Sequence, residues 1–487
     1  MPELCVLDVP DGACLEDMLF ERGVEFPCGG YSQCGGCRVH VIEGNVPVTS
    51  DMREALTPEE LANGWRLACQ ARVTGRVVLR IGQWDAPILS DDAAVHFEAR
   101  EGFGIAVDLG TTTLVAQLLD LRSGRIVDVR TALNPQSAHG ADLMSRVQFD
   151  MTQPGVLTRS VREALRVMVR DLTGNLDLRE VLICGNTVMH HLFCGLSVEP
   201  LAHVPFESAA LGEQRFTSAE LEWDVTPDCR VSFLPCMGGF VGSDILAGLV
   251  AVPLFDSTAL VSLIDLGTNG EIVVGDRNGA ICVSTAAGPA FEAGRIRMGM
   301  RAARGAISRV SLSDGGFQCH VIGGGPARGI CGSGLVDGVA AALSAGRILP
   351  SGRLANGARE MPLVSAIGLT QSDIRELQLA KGAIAAGLKI LLHHFQADVT
   401  DLKRLYLGGA FGNYVSIESA HRIGLLAIQP ERVEASGNTA LRGVKMLLGM
   451  PSRREKAIDL IRSRTRHISL ASDAEFEDTF VASLAFP

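Results

Sequence analysis

Residues 105–119 read IAVDLGTTTLVAQLL, and residues 263–274 read LIDLGTNGEIVV. In both, an apolar run rich in Val, Ile and Leu reaches an Asp, turns at a Gly, passes small hydroxyl or amide residues and becomes apolar again. The pattern predicts a strand, a tight turn and a returning strand. A D-x-G-T turn presents backbone N–H groups and short hydroxyls that can cradle a phosphate, and its carboxylate can hold a divalent cation directly or through water. One Asp-Gly hairpin alone is usually no more than a turn. Two copies, with Asp108 and Asp265 separated by 157 residues (265 minus 108), predict two similar subdomains facing each other across a cleft. Such a pair suits the two ends of a nucleoside triphosphate tail.

A third element, LYLGGAFGNY at residues 405–414, joins a short strand to a double Gly where the backbone can approach an adenine or ribose closely. In this order, DLGTTT, DLGTNG and LGGAFG resemble the superfamily of acetate and sugar kinases, heat-shock chaperone ATPases and actin. There they form two phosphate loops and an adenosine loop. The resemblance covers the chain from Phe103 onward and implies an actin-like clamp that binds ATP with Mg²⁺. On it, Asp108 and Asp265 are assigned to the metal. Gly110, Thr111, Thr112, Gly267, Thr268 and Asn269 fall to the phosphates, and Gly408 and Gly409 to adenosine.

Other stretches of the clamp supply candidates for catalysis. VLICGNTVMHHLF, from Val181, reads as a strand entering a helix, with Asn186 and Thr187 within reach of the cleft. His190 and His191 read as packing or helix surface. VSFLPCMGGFVGSDILAG at residues 231–248 reads as strand, Gly loop and helix, with Ser243 or Asp244 as N-cap; Asp244 facing nucleotide or metal is the alternative. STAAGPAFEAGRIRMGM reads as an irregular loop carrying Glu292. Asn186, Asp244 and Glu292 are therefore the candidates for the catalytic base. The Gly-rich GICGSG feeds a helix whose N-terminus can face a phosphate, and a long helix is expected over residues 372–396. No G-x4-G-K-[ST] motif is present, and no Gly-rich turn has the context of a dinucleotide fingerprint.

The first seventy residues have a different character. Of 13 cysteines, Cys28, Cys34, Cys37 and Cys69 form C-x5-C-x2-C-x31-C, and the first three lie in PCGGYSQCGGC. Cluster sulfides need backbone N–H groups directed at them with no side chains in the way, which the glycines permit. The spacing is one residue longer in its first gap than the plant-type C-x4-C-x2-C and is similar to that of adrenodoxin-like ferredoxins. It points to a [2Fe–2S] cluster, with a four-thiolate zinc site as the alternative. The flanks, with a helix over residues 14–22, a strand RVHVIEG, a helix TPEELANG and a strand RVVLRI, fit a β-grasp ferredoxin. The other nine cysteines show no ligand spacing and are expected to be buried thiols.

A net charge of −11 and a pI near 5.5 argue against a nucleic-acid partner, which needs a basic patch. The start of the chain lacks a basic n-region, and the longest apolar run, residues 245–255, is too short to span a bilayer. A cytoplasmic protein without a membrane partner is expected. The expected organisation is multidomain, α/β and α+β: a ferredoxin-like domain at 1–82, a linker at 83–102, and ATPase subdomains at 103–259 and 260–487, the second with a C-terminal extension.

A [2Fe–2S] ferredoxin ahead of an actin-like ATPase resembles, over nearly the whole chain, the ATP-dependent reductive activators of corrinoid proteins. The resemblance implies that an external donor, such as a reduced ferredoxin or flavoprotein, feeds electrons through the cluster to a corrinoid protein. Inactive Co(II) becomes Co(I), which accepts a methyl group. For assembly, a homodimer is expected. Three other readings stay open: an ATP-dependent electron injector for another low-potential acceptor, as in dehydratase activators; a small-molecule kinase with a redox-sensing ferredoxin; and a nucleotide-gated scaffold with little turnover.

Overall fold

The computed structural model describes residues 5–10, 13–20, 24, 37–73, 75–81, 97–140, 142–267, 269–313, 316–364, 366–412 and 414–487. Near the start of the chain, alternation of apolar and polar residues makes the strand Cys5–Val9, with Cys5, Leu7 and Val9 buried and Val6 and Asp8 turned outward. It heads a four-stranded antiparallel sheet ordered Cys5–Val9, Gly75–Ile81, Arg38–Glu43, Trp65–Leu67. The helix expected over residues 14–22 runs Leu15–Phe20, and that at TPEELANG runs Pro58–Ala62 behind a Thr57/Glu60 capping box. The helix Ser50–Ala55 and the strand Trp65–Leu67 were not expected. Six and three residues are too few to display a hydrophobic period.

Beyond residue 103, two six-stranded sheets share one plan. The first is ordered Ile126–Leu133, Thr113–Asp120, Phe103–Leu109, Leu178–Cys184, Arg230–Phe233, Gln214–Thr217. The second is ordered Thr465–His467, Gly279–Thr285, Gly270–Asp276, Val261–Leu266, Arg404–Gly408, Val433–Gly437. In each, the D-x-G hairpin is an antiparallel pair, and its leading strand runs parallel to the next strand inward, so that Asp108 lies beside Cys184 and Asp265 beside Gly408. Both carboxylates thus sit near the carboxyl ends of parallel strands, where α/β sheets bind ligands.

The helices Ser243–Ala251 and Thr439–Gly449 leave the two sheets at equivalent points and pack against one another. A Cβ on Gly443 would fall 1.8 Å from the Ala247 carbonyl oxygen, so the two backbones meet at a position only glycine can occupy. Around this crossing Leu182, Leu246, Leu263, Val273, Val444 and Leu447 form a core shared by both sheets, each large side chain contributing roughly 1.5–3 kcal/mol by burial. The long helix Gln371–His394 starts at a Thr370/Asp373 capping box and packs against the second sheet. Residues 97–102, counted above as the end of the linker, are fixed on the clamp. Glu98 N–H donates to Gly449 O at 2.8 Å, and Arg100 pairs with the buried Glu180 at 2.7 Å, which also receives Arg454 at 2.7 Å. Among the described residues no helix is long and apolar enough to cross a membrane.

Candidate functional site

The two D-x-G hairpins and Gly409 face a common cavity of about 560 Å³ between the subdomains, within the usual size of small-molecule sites; Gly408 lies behind it, against Thr439 and Gly437. Asp108, Gly110, Thr111 and Thr112 line it from the first subdomain, with Asn186 and Asp244; Asp265, Gly267, Asn269, Glu292 and Gly409 line it from the second. Thr268 lies outside the described residues.

Local chemistry fixes each loop. At Gly110 an added Cβ would fall 2.5 Å from Thr113 O, so the first turn closes tightly only with glycine. Asn134 Nδ2 donates to Gly110 O at 2.9 Å and holds the turn from behind. Asn186 caps the helix Thr187–Cys194, its Oδ1 accepting from Met189 N, while its Nδ2 donates to Thr111 Oγ1 at 2.8 Å. Thr112 Oγ1 donates across the cleft to Glu292, 3.0 Å from each carboxylate oxygen. In the second turn Gly267 N–H donates to Asn269 O at 2.9 Å and closes the turn. Gly409 has φ +86°, and a Cβ there would meet Asp265 Oδ1 at 2.3 Å. The backbone at Gly409 therefore lies directly on the second carboxylate.

Two expectations are revised. Neither Ser243 nor Asp244 caps its helix; Gly242 occupies that position without a side-chain bond. Ser243 Oγ instead bonds Gly185 at 3.1 Å, and a Cβ on Gly242 would lie 2.2 Å from Gly185 O. This tight crossing moves the helix start back one residue and frees Asp244 to face the cavity. Thr187, expected within reach of the cleft, is fully buried and donates to Gly238 O at 2.7 Å. His190 and His191 are buried and hydrogen-bonded to Gly212 O and Ser208 Oγ, as packing requires.

Asn438 was missed. It caps the helix Thr439–Gly449 and donates from Nδ2 to Asp108 Oδ2 at 2.7 Å. The signal was available: Gly-Asn-Thr at 185–187 recurs at 437–439, in each case between a strand and a helix. Glu271, directly opposite Asp265 across the second hairpin, was also missed.

The cavity is acidic. Asp265 is pushed up to about 8, by burial first and then by the charges of Asp244 and Asp108; Asp244 is pushed up to about 7, by burial and then by Asp108. Glu271 is raised well above the carboxylate range by burial and by Asp244 and Asp265. Like charges so close disfavour ionisation unless a cation joins them. Among the described residues no three His, Cys, Asp or Glu side chains form a ready-made metal cage. Mg²⁺ keeps several waters and is usually held by one or two carboxylates plus phosphate oxygens, a role open to Asp108 and Asp265. Cys331 borders the cavity, and burial raises its thiol.

In the four-stranded unit, Cys37 and Cys69 are both buried, and Ala68 N–H donates to Cys37 O at 3.0 Å, joining the two segments that carry them. Their placement fits two ligands of one cluster. Cys28 and Cys34 lie outside the described residues.

Family models match in three consecutive blocks: a 2Fe-2S iron-sulfur cluster binding domain over residues 2–74, the RACo middle region over 103–257, and the C-terminal domain of RACo, the ASKHA domain, over 259–487. Corrinoid activation enzyme RamQ of Eubacterium limosum is 33% identical over 420 residues, covering 79% of this chain and 70% of the relative. The chain belongs to the RACo family of reductive activators. Another relative, the Co(II) methylated amine-specific corrinoid protein reductase of Methanosarcina barkeri, is 27% identical over 79% of this chain and 77% of its own length. A solved reductive activator for corrinoid, iron-sulfur protein superposes with a TM-score of 0.71 at 26% identity, covering 99% of this chain and 96% of that one. The family fold is a ferredoxin unit followed by an actin-like ATPase.

Proposed function

We propose that this family member uses ATP to drive one-electron reduction of cobalt, Co(II) to Co(I), in a corrinoid protein, with electrons passing through its own [2Fe–2S] ferredoxin unit. The observation that carries the reading is the union, in one chain of this family, of buried Cys37 and Cys69 in a ferredoxin sheet with an acidic cavity between duplicated D-x-G hairpins. Cys28, Cys34, Cys37 and Cys69 hold the cluster, which supplies one-electron transfer. Plant-type clusters lie near about −400 mV, and transfer to an acceptor below that is uphill by ~2.3 kcal/mol for each ~100 mV. ATP closes that gap by favouring a different bound state of the partner.

Within the cavity, Asp108 and Asp265 hold Mg²⁺, which offsets phosphate charge. Gly110, Thr111, Thr112, Gly267, Thr268 and Asn269 take the phosphates, and Gly408 and Gly409 the adenosine. Asn186 and Glu292 hold the hydroxyls of Thr111 and Thr112 in place. Asp244, which lines the cavity together with Asp108 and Asp265, is the base. It takes a proton from water as that water attacks the γ-phosphorus and the bond to the ADP oxygen breaks. An external reduced ferredoxin or flavoprotein supplies the electrons, the activator works as a homodimer in the cytoplasm, and its units divide at 1–82, 103–259 and 260–487, joined by a linker at 83–102 whose last residues, 97–102, are held on the clamp.

The test combines the holoprotein with a corrinoid protein and a strong artificial reductant. The cluster should reduce without nucleotide, whereas Co(I), followed optically, should accumulate only with ATP and Mg²⁺. Equal Co(I) in the absence of ATP would leave the clamp a binding scaffold.

A further inference from the structure

The ferredoxin unit is seated on the second ATPase subdomain, against a wall that the nucleotide cavity shares. On the ferredoxin side the contact is the helix Leu15–Phe20. Glu16 pairs with Arg309, Asp17 Oδ2 accepts from Gly323 N–H at 2.9 Å, and His320 Nε2 lies 3.6 Å from Asp17 Oδ1. Tyr414, just past the adenosine loop, packs against the ferredoxin core. Between the two units is a void of about 30 Å³ bordered by Glu16, Asp17, Arg309, Ala302, Ser333 and Tyr414. The last three of these also line the nucleotide cavity.

That shared wall is built from elements a nucleotide would touch. Ser333 stands in the first turn of the helix Gly332–Ser344, which has no side-chain cap, and its Oγ donates to Ser308 O at 2.9 Å, next to Arg309. Tyr414 follows Gly409 by five residues, and its N–H is held by Phe411 O at 3.0 Å. A polyphosphate in the cavity and the pair Glu16 and Asp17 beyond the wall of Ala302, Ser333 and Tyr414 are like charges that repel across it.

We propose that ferredoxin docking is coupled negatively to nucleotide binding: a nucleoside triphosphate in the cavity releases Glu16 and Asp17 from Arg309, His320 and Gly323, freeing the cluster-bearing unit to reach its electron acceptor. The inference rests on the nucleotide reading of the cavity given above. Because coupling is reciprocal, loss of docking must strengthen nucleotide binding.

The experiment uses the full-length holoprotein and the non-hydrolysable analogue AMPPNP with Mg²⁺. Binding is measured by titration, and amide hydrogen exchange is followed in residues 15–20 and 316–321. Saturating AMPPNP should speed exchange in both segments about tenfold. Glu16→Arg should exchange fast without nucleotide and bind AMPPNP about fivefold more tightly, a typical coupling, and the charge-swapped Glu16→Arg/Arg309→Glu protein should return towards wild type. The wild-type exchange measurement needs no substitution, so a variant that fails to fold does not decide the outcome. Bound AMPPNP that leaves exchange unchanged or slower overturns the coupling alone. Failure of AMPPNP to bind overturns the nucleotide reading and the coupling with it.

Discussion

Asp265 shows how the site trades stability for chemistry. Its burial, and then its neighbours Asp244 and Asp108, push its pKa to about 8, against about 3.9 in an unfolded chain. A carboxyl raised in this way stabilises the fold while protonated; that contribution is full below about pH 4 and is lost as pH rises through about 8. The nucleotide-free protein should therefore weaken across this window. Asp265→Asn should unfold at a higher temperature than wild type at pH 8 but not at pH 4, by on the order of 1–3 kcal/mol, while losing Mg²⁺-dependent nucleotide binding. Thermal scans at both pH values with Mg²⁺ removed check the first part, and equal midpoints at pH 8 would contradict it. Gly409 tests the adenosine loop. With Asp265 Oδ1 and the Leu266 backbone 2.3–2.7 Å from any Cβ, Gly409→Ala must displace one of them and should abolish nucleotide binding while the visible spectrum of the cluster stays unchanged.

At the level of the element, the helix Thr439–Gly449 does two jobs through one residue. Asn438 Oδ1 accepts from Leu441 N–H at 2.8 Å, and Asn438 Nδ2 holds Asp108. An N-cap of this kind is worth about 1 kcal/mol, so Asn438→Ala should lower stability by that amount in denaturant titration and also weaken nucleotide binding. Asn438→Asp separates the two roles, since it keeps the cap acceptor but faces Asp108 with a like charge; it should stay folded and bind Mg²⁺-nucleotide poorly. Full nucleotide affinity in this variant would remove Asn438 from the site. The partner helix Ser243–Ala251 crosses it at Gly443, so this contact joins the two subdomains beside the site.

Across the whole molecule, the two D-x-G turns and the double Gly all lie beyond residue 103, and the cysteine set lies within the first seventy residues. Deleting residues 1–82 should abolish electron transfer to cobalt while ATP still binds, more tightly than to the full chain because Glu16 and Asp17 go with the deletion, as measured by Co(I) formation and nucleotide titration. In the complementary case, Cys34→Ala should lose the cluster, about two irons and two sulfides per chain, and keep nucleotide binding. Stoichiometric zinc in the wild-type protein would overturn the cluster assignment.

The sequence by itself determined the parts whose signal is local. The duplicated D-x-G hairpins, the double Gly at 408–409 and the cysteine spacing each depend on residues a few positions apart, because turns and strands impose their needs on neighbours. Local pattern also decided that two similar sheets would face one another. Tertiary structure alone decided which side chains complete the site. Asn438 reaches Asp108 across 330 residues, and Glu292 reaches Thr112 across 180. Both contacts exist only once the two subdomains have closed around a shared core. The start of the helix at Gly242 rather than Ser243 was likewise settled by a close backbone crossing with Gly185. So was the seating of the ferredoxin unit: Glu16 and Asp17 look like an ordinary acidic first turn until Arg309 and His320, some 300 residues away, are folded against them. Periodicity records which face of an element is buried; it carries no record of what that face meets.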